Sequence, residues 1–251
     1  FDGVPASLIE SEFRKTELES YLNWQPSKQW NLLLGVNRKQ SKGLNSGTLD
    51  FGFPLDASFL LEQSLNSGFG EVSWTSSNIQ INTGLRYDDP DNFDNKLSGR
   101  VSLNYALTES QKMLASYSEG YKLPSFFALA HPLVGNSQLK PERSKNTELG
   151  WRFSNNNNNN NNEIKLEAVY FKNEFSDLVD FDPELFTSIN RNLVKTDGLE
   201  FNGSMLVTSW LNLSMDLSYL RVELESQSAP LRRRPKWFGG MSLDFHGKSW
   251  S

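Results

Sequence analysis

Four carboxylates fall within one short stretch, Asp88-Asp89-Pro90-Asp91-Asn92-Phe93-Asp94. Hard cations such as Ca²⁺ need clustered oxygen ligands, so Asp88, Asp89, Asp91 and Asp94 form a candidate metal site. The spacing lacks the glycine and the distal glutamate of a calcium loop, and a solvated acidic loop is the plainer reading. A second charged run is basic, Arg232, Arg233 and Arg234 with Lys236. Guanidinium groups suit phosphate, so this run could meet phosphate groups of a surface or an anionic ligand. The plainer reading is a solvated loop or a salt bridge to Glu223 or Glu225. His131 and His246 are the two histidines. His131 follows Tyr121, Phe126 and Phe127, aromatics that offer apolar contact area at low rotamer cost, and could touch a metal chelate. Those aromatics could equally pack their own segment onto its support. No Ser-His-Asp set or carboxylate pair has a spacing that suggests catalysis. With no Cys there is no disulfide, thiolate metal site or thiol nucleophile. No enzyme and no cofactor is expected.

The elements that must hold these residues are strands. The chain has 251 residues and a formal net charge of −5, which argues against a nucleic-acid partner. Mean hydropathy is −0.53, and no long apolar run exists to form a transmembrane helix. A membrane barrel stays open, because its strands alternate apolar and polar residues and average out as hydrophilic. Period-two alternation dominates. It is clearest in Val101-Ser102-Leu103-Asn104-Tyr105-Ala106-Leu107. Similar apolar sets are Trp30-Leu32-Leu34-Val36, Ile79-Ile81-Thr83-Leu85-Tyr87, Ile164-Leu166-Ala168-Tyr170, Leu199-Phe201-Gly203-Met205-Val207 and Leu211-Leu213-Met215-Leu217-Tyr219. The pattern predicts about eleven two-faced strands and no comparable helix, with Ser7–Lys15 ambiguous.

The connections sort by length. Short turns are predicted at 25–28, 75–78, 108–111, 208–210 and 246–249, and long segments at 38–67, 88–96, 121–145, 176–193 and 225–235. Strict alternation puts every second connection on the same side. An up-and-down outer-membrane barrel does this, with short periplasmic turns and long extracellular loops. Several strands reach ten or more residues, as a tilted membrane strand requires. A soluble β-sandwich or lipocalin-like barrel would leave the aromatic loop unexplained. Asn155–Asn162, a run of eight Asn, reads as an expanded periplasmic turn.

The stretch Ser118-Glu119-Gly120-Tyr121-Lys122-Leu123-Pro124-Ser125 is followed by Gly135-Asn136, then Leu139-Lys140-Pro141-Glu142-Arg143-Ser144, then Thr147-Glu148-Leu149-Gly150. Together these words resemble the barrel signature of TonB-dependent outer-membrane receptors. Arg86-Tyr87-Asp88-Asp89 upstream and Pro230-Leu231-Arg232-Arg233-Arg234-Pro235-Lys236 downstream fit the vitamin B12 and siderophore receptor branch in order and spacing. The segment before Leu60 carries no such word and is assigned by pattern alone. The resemblance implies a barrel of about 22 strands filled by a plug domain. It implies active uptake of a scarce ligand, such as a ferric siderophore, haem or cobalamin, across the outer membrane of a Gram-negative bacterium. Its partners would be the TonB complex, the plug, and outer-membrane lipid and lipopolysaccharide.

Several expectations follow. Residues 1–251 form part of an all-β, antiparallel transmembrane barrel, with the plug domain and C-terminal strands absent from this sequence. The alternatives are a passive porin and, less favoured, a barrel enzyme such as a lipase or protease. The strands form one meander. The apolar sets face lipid, while Arg86, Glu148, Arg152, Lys165, Glu167 and Glu200 face the lumen. Tyr121, Phe126, Phe127 and His131, with Arg232, Arg233 and Arg234, are the expected ligand contacts on the outer side. Trp24, Trp30, Trp74, Trp151, Trp210 and Trp250 form one girdle at the short-turn rim, with Trp237 alone beside a long loop.

Overall fold

A computed structural model describes residues 6–157, 162–224 and 235–246. Eleven strands pair in a single antiparallel path, each with its neighbour along the chain, and a three-residue strand is appended to one of them. They are β1 (Ala6–Ser27), β2 (Trp30–Asp50), β3 (Pro54–Asp56), β4 (Phe59–Thr75), β5 (Ile79–Pro90) and β6 (Lys96–Ala106). Then follow β7 (Gln111–Lys122), β8 (Glu142–Asn157), β9 (Asn162–Asp182), β10 (Thr187–Thr208), β11 (Leu211–Leu224) and β12 (Trp237–Phe245). β3 folds back on β2 at Thr48↔Asp56, Leu49↔Leu55 and Asp50↔Pro54. The path does not close, and the outer edges of β1 and β12 carry no partner among the described residues.

The pleat separates two chemistries. Directly opposed residues share a face. Leu22↔Leu34 and Trp24↔Leu32 link β1 to β2, Trp74↔Ile81 links β4 to β5, and Leu149↔Tyr170↔Leu199 crosses β8, β9 and β10. This apolar face is bare: Leu34 is 61% exposed and Leu85 60%. Only six apolar residues are buried among those described, far too few for a soluble sandwich of this length. Exposure on this scale fits hydrocarbon rather than water as the neighbour. The other face is polar. Arg152 meets Glu167 at 2.6 Å, Glu148 accepts from Ser116 at 3.2 Å, and Arg100 pairs with Glu71. Arg86, Lys165 and Glu200 lie on this face too.

The turns at Thr75/Ile79, Ala106/Gln111 and Thr208/Leu211 fall where expected. The 88–96 segment shortens to 91–95, and 225–235 and the 246–249 turn lie almost entirely outside the described residues. Two long connections do not fall where expected. The 38–67 segment is largely strand, because β2 continues to Asp50 and β4 starts at Phe59, with Lys42↔Glu62 and Gln40↔Ser64 still in register. The 176–193 segment is a hairpin whose turn is only 183–186. These strands run to 22 residues, roughly 70 Å at 3.3 Å per residue, against a hydrocarbon core of about 30 Å. Strand beyond the length of a hydrocarbon core would be wet on both faces, so the ladder can continue while the apolar alternation that marks it stops. The Asn run is also partly ladder, through Asn155↔Ile164 and Asn156↔Glu163, and its centre lies outside the described residues. Ser7–Lys15 belongs to β1 and is not helical.

Candidate functional site

Among the described residues, the connection between β7 and β8 is the one long segment that is not strand. It folds rather than dangles. Ser125 caps a five-residue helix, α1 (Phe126–Ala130), its hydroxyl accepting from the Ala128 N–H at 3.1 Å. This helix was not expected, since one turn and a half leaves no readable period. His131 ends it by donating its backbone N–H to the Phe127 carbonyl. The chain then doubles back, with Gly135 N–H on the His131 carbonyl and Asn136 N–H on that of Ala128, both at 2.7 Å. Gly135 is required there. A Cβ would stand 2.5 Å from the His131 backbone N and O.

The folded loop is tied at two places. One is the β9–β10 hairpin. Ser188 N–H donates to the Val134 carbonyl at 2.8 Å, Asn136 Nδ2 to Ser188 O at 3.0 Å, and Asn190 exchanges bonds with Lys140 in both directions. A small apolar cluster of Ala128, Leu129 and Leu139 packs on Val179 of β9, on Phe93 between β5 and β6, and on Leu61 of β4, so it runs under the loop from this end toward β2. The other tie lies across the polar face on β1 and β2. There the Phe126 ring covers Gly43 and stands 5.9 Å from the Phe13 ring. The loop therefore spans the polar face from β9–β10 to β1–β2.

Beneath it is a cavity of about 640 Å³ walled by Phe13, Phe59, Leu65, Tyr121, Phe126 and Phe127, with Arg86 and Asp88 on its floor. The floor is a closed polar set. Arg86 Nε donates to Asp88 Oδ1 at 2.9 Å and its Nη2 to Ser67 Oγ at 2.8 Å, while Ser67 donates to the same Asp88 oxygen at 2.6 Å. The guanidinium also sits 5.8 Å over the Phe69 ring. An aromatic wall above a neutralised charged floor is suited to holding a solute of mixed apolar and polar character.

The expected site residues divide. Tyr121, Phe126 and Phe127 do come together at this cavity, and Phe127 is the most open of them at 53% exposed. Tyr121 also donates its hydroxyl to the Asp94 carbonyl at 2.9 Å. His131 is buried against Phe127, 4.5 Å between ring centroids. Its Nδ1 accepts from the Leu133 and Val134 N–H groups at 3.3 and 3.4 Å, so that nitrogen faces the loop rather than a chelate. Burial holds the imidazole below its ordinary pKa. The acidic set does not gather. Asp88 is buried and paired with the half-buried Arg86, Asp89 is exposed on the opposite side of the pleat, and Asp91 binds Ser64. No cluster of three metal-ligating side chains exists among the described residues. Arg232, Arg233, Arg234 and Trp250 lie outside the described residues. Phe13 and Gly43 were not expected at the site. Gly43 carries a usable signal, since a glycine inside a strand marks close approach of another group.

Comparison with known proteins agrees with this architecture. The family model "TonB dependent receptor-like, beta-barrel" matches residues 9–251. A curated relative, vitamin B12 transporter BtuB of Vibrio vulnificus (strain YJ016), is 24% identical over 207 residues, 80% of this chain and 32% of that protein. The chain thus spans about a third of that relative's length. The siderophore receptor PirA from Pseudomonas aeruginosa superposes with a TM-score of 0.75 at 20% identity, over 95% of this chain and 44% of that one. The ferric yersiniabactin uptake receptor FyuA from Yersinia pestis gives 0.75 at 16% identity, over 97% and 41%. The copper transporter OprC gives 0.76 at 16%, over 96% and 42%. From the residue words to the single antiparallel path to these matches, the chain belongs to the TonB-dependent receptor β-barrel family.

Proposed function

We propose that the chain is the ligand-capturing part of an outer-membrane active-transport receptor in a Gram-negative bacterium. The observation that carries this reading is the aromatic cavity closed by the β7–β8 loop on the polar face of a sheet from this receptor family. The polar face lines a lumen, and a plug domain from elsewhere in the whole protein meets it there. The long connections face outward, toward lipopolysaccharide, and the TonB complex supplies energy through a region outside this chain. The solute is a metal chelate of the siderophore or haem kind, or a cobalamin-like molecule. Tyr121, Phe126 and Phe127 form its contact surface, and His131 holds that surface in shape. The acidic loop at 88–94 serves structure rather than metal binding. A passive porin or an enzyme has no use for a folded lid over an aromatic chamber.

The test uses the full-length receptor in cells. Tyr121, Phe126 and Phe127 are replaced together by Ala, and binding of labelled ferric siderophores and of cobalamin is measured with and without a working TonB complex. An aromatic ring packed on a solute contributes about 1 kcal/mol or more, so truncating all three should weaken binding of the cognate solute by at least about tenfold. Accumulation, as distinct from binding, should require the TonB complex. Unchanged binding at normal surface expression would sink the assignment of the cavity, and energy-independent accumulation would favour a porin.

A further inference from the structure

We propose that the β7–β8 loop is a strap with one fixed and one releasable end, and that Gly43 is the seat of its latch. The proposal rests on the transport reading above, since a latch matters only if something enters. The fixed part is the hydrogen-bonded tie to β9–β10, made of backbone and Asn contacts from Val134 through Lys140, with the apolar cluster of Leu129 and Leu139 on Leu61, Phe93 and Val179 beside it. The releasable end has a different chemistry. It is a single ring, Phe126, laid on Gly43 of β2 and touching Phe13 of β1. Among the described residues, polar bonds tie the loop to the β9–β10 side and Tyr121 to Asp94, while the tie at β1–β2 is aromatic.

The seat depends on an absent side chain. Gly43 lies within β2, paired with Phe13 on one side and Leu61 on the other, in ordinary extended backbone. A Cβ there would overlap the Phe126 ring. Any residue but glycine would keep the strand and evict the ring. Gly43 therefore serves the loop rather than its own strand, where glycine weakens the ladder. The ring on its seat completes one wall of the cavity, which also includes Ser41 and Leu65. Lifting Phe126 opens that wall without breaking the tie to β9–β10. Gly43 and Phe126 thus set how readily the outer space reaches the chamber.

The test is independent of any solute. In the full-length receptor on whole cells, Ser41→Cys on the cavity wall is labelled with a membrane-impermeant maleimide, this chain having no Cys of its own. Gly43→Ala and Phe126→Ala are each added. Either should raise the labelling rate about tenfold, equivalent to about 1.4 kcal/mol of lost preference for the closed strap. In the Phe126→Ala background, Gly43→Ala should add nothing, because the ring it evicts is gone. Phe126→Leu, which keeps an apolar side chain at the seat, should lie between. Normal heat-modifiable migration controls for folding. Wild-type labelling rates in both single variants would overturn the latch, as would additive effects in the double variant. If the latch holds while neither siderophore nor cobalamin binds, the transport reading fails alone.

Discussion

At the scale of single residues, His131 is the group whose chemistry the loop depends on most. Its Nδ1 accepts two backbone N–H groups, a role that only the unprotonated nitrogen can fill. Burial is the cause of its lowered pKa. The folded value lies below the ordinary one of 6.5, so the opened loop binds the proton more readily than the closed loop. The stabilisation is therefore complete above the ordinary value. It declines as the pH falls through that value and is gone once the pH lies below the folded one. Hydrogen exchange at the Leu133 and Val134 amides of the full-length receptor should show protection at about pH 7.5 and progressive loss as the pH falls below the ordinary value of about 6.5. His131→Phe should expose both amides at every pH and flatten the profile. A wild-type profile that is also flat would mean that the imidazole never titrates within this range.

At the scale of elements, what is legible in the sequence is what the bilayer enforces. Inside the membrane one face must be apolar and the other polar, so Val101–Leu107 and Leu211–Tyr219 announce themselves. Outside it, β2 through Lys39-Gln40-Ser41-Lys42 and β9–β10 through Phe175–Arg191 are held by backbone pairing that has no side-chain period. The same limit hides the cavity. Tyr121, Phe126 and Phe127 are legible as a cluster because they fall within one short stretch at the end of β7 and the start of its loop, whereas Gly43 and Phe13 meet them only through register and long-range folding. The β9–β10 hairpin shows what replaces apolar alternation as a source of order. Arg191 is buried, 6% exposed at its side chain, and its Nε donates to Asp180 Oδ2 at 2.8 Å. Removing the cation leaves Asp180 facing a site built for a pair. Asp180 is about one-third exposed, which reduces the cost. Arg191→Leu should destabilise the hairpin by about 2 kcal/mol and loosen the strap anchored on it. Limited proteolysis on whole cells should then cut within 176–191 at least tenfold faster. Cutting at the wild-type rate would show that the backbone ladder alone holds the hairpin.

At the scale of the molecule, tryptophan placement reports how the sheet sits in its membrane. Trp30 and Trp74 face each other across β2 and β4, with ring centroids 6.4 Å apart beside two short turns. Trp24 is opposite Leu32 at the same rim. Trp151 donates its Nε1–H to Gln111 at the start of β7, and Trp210 stacks on Phe245 at the β10–β11 turn. All five lie toward the short-turn end, next to residues of the apolar face, whereas Trp237 stands at the opposite end against Tyr219. Indole prefers the membrane–water interface, with its ring in apolar surroundings and its N–H toward water. A row of five at one end is what an edge of the hydrocarbon would collect, and on that reading the long connections, and the cavity with them, face the far side. Replacing Trp24, Trp30, Trp74, Trp151 and Trp210 with Phe in the full-length receptor isolates their fluorescence by difference. In bilayers of brominated lipid, that difference signal should be quenched most by bromines near the carbonyl end of the acyl chain and least by those near the terminal methyl. Deeper quenching would place the row within the hydrocarbon and shift the whole sheet along its normal. No quenching at either depth would put these rings in water or in the lumen, and the assignment of inner and outer ends would lose its independent support.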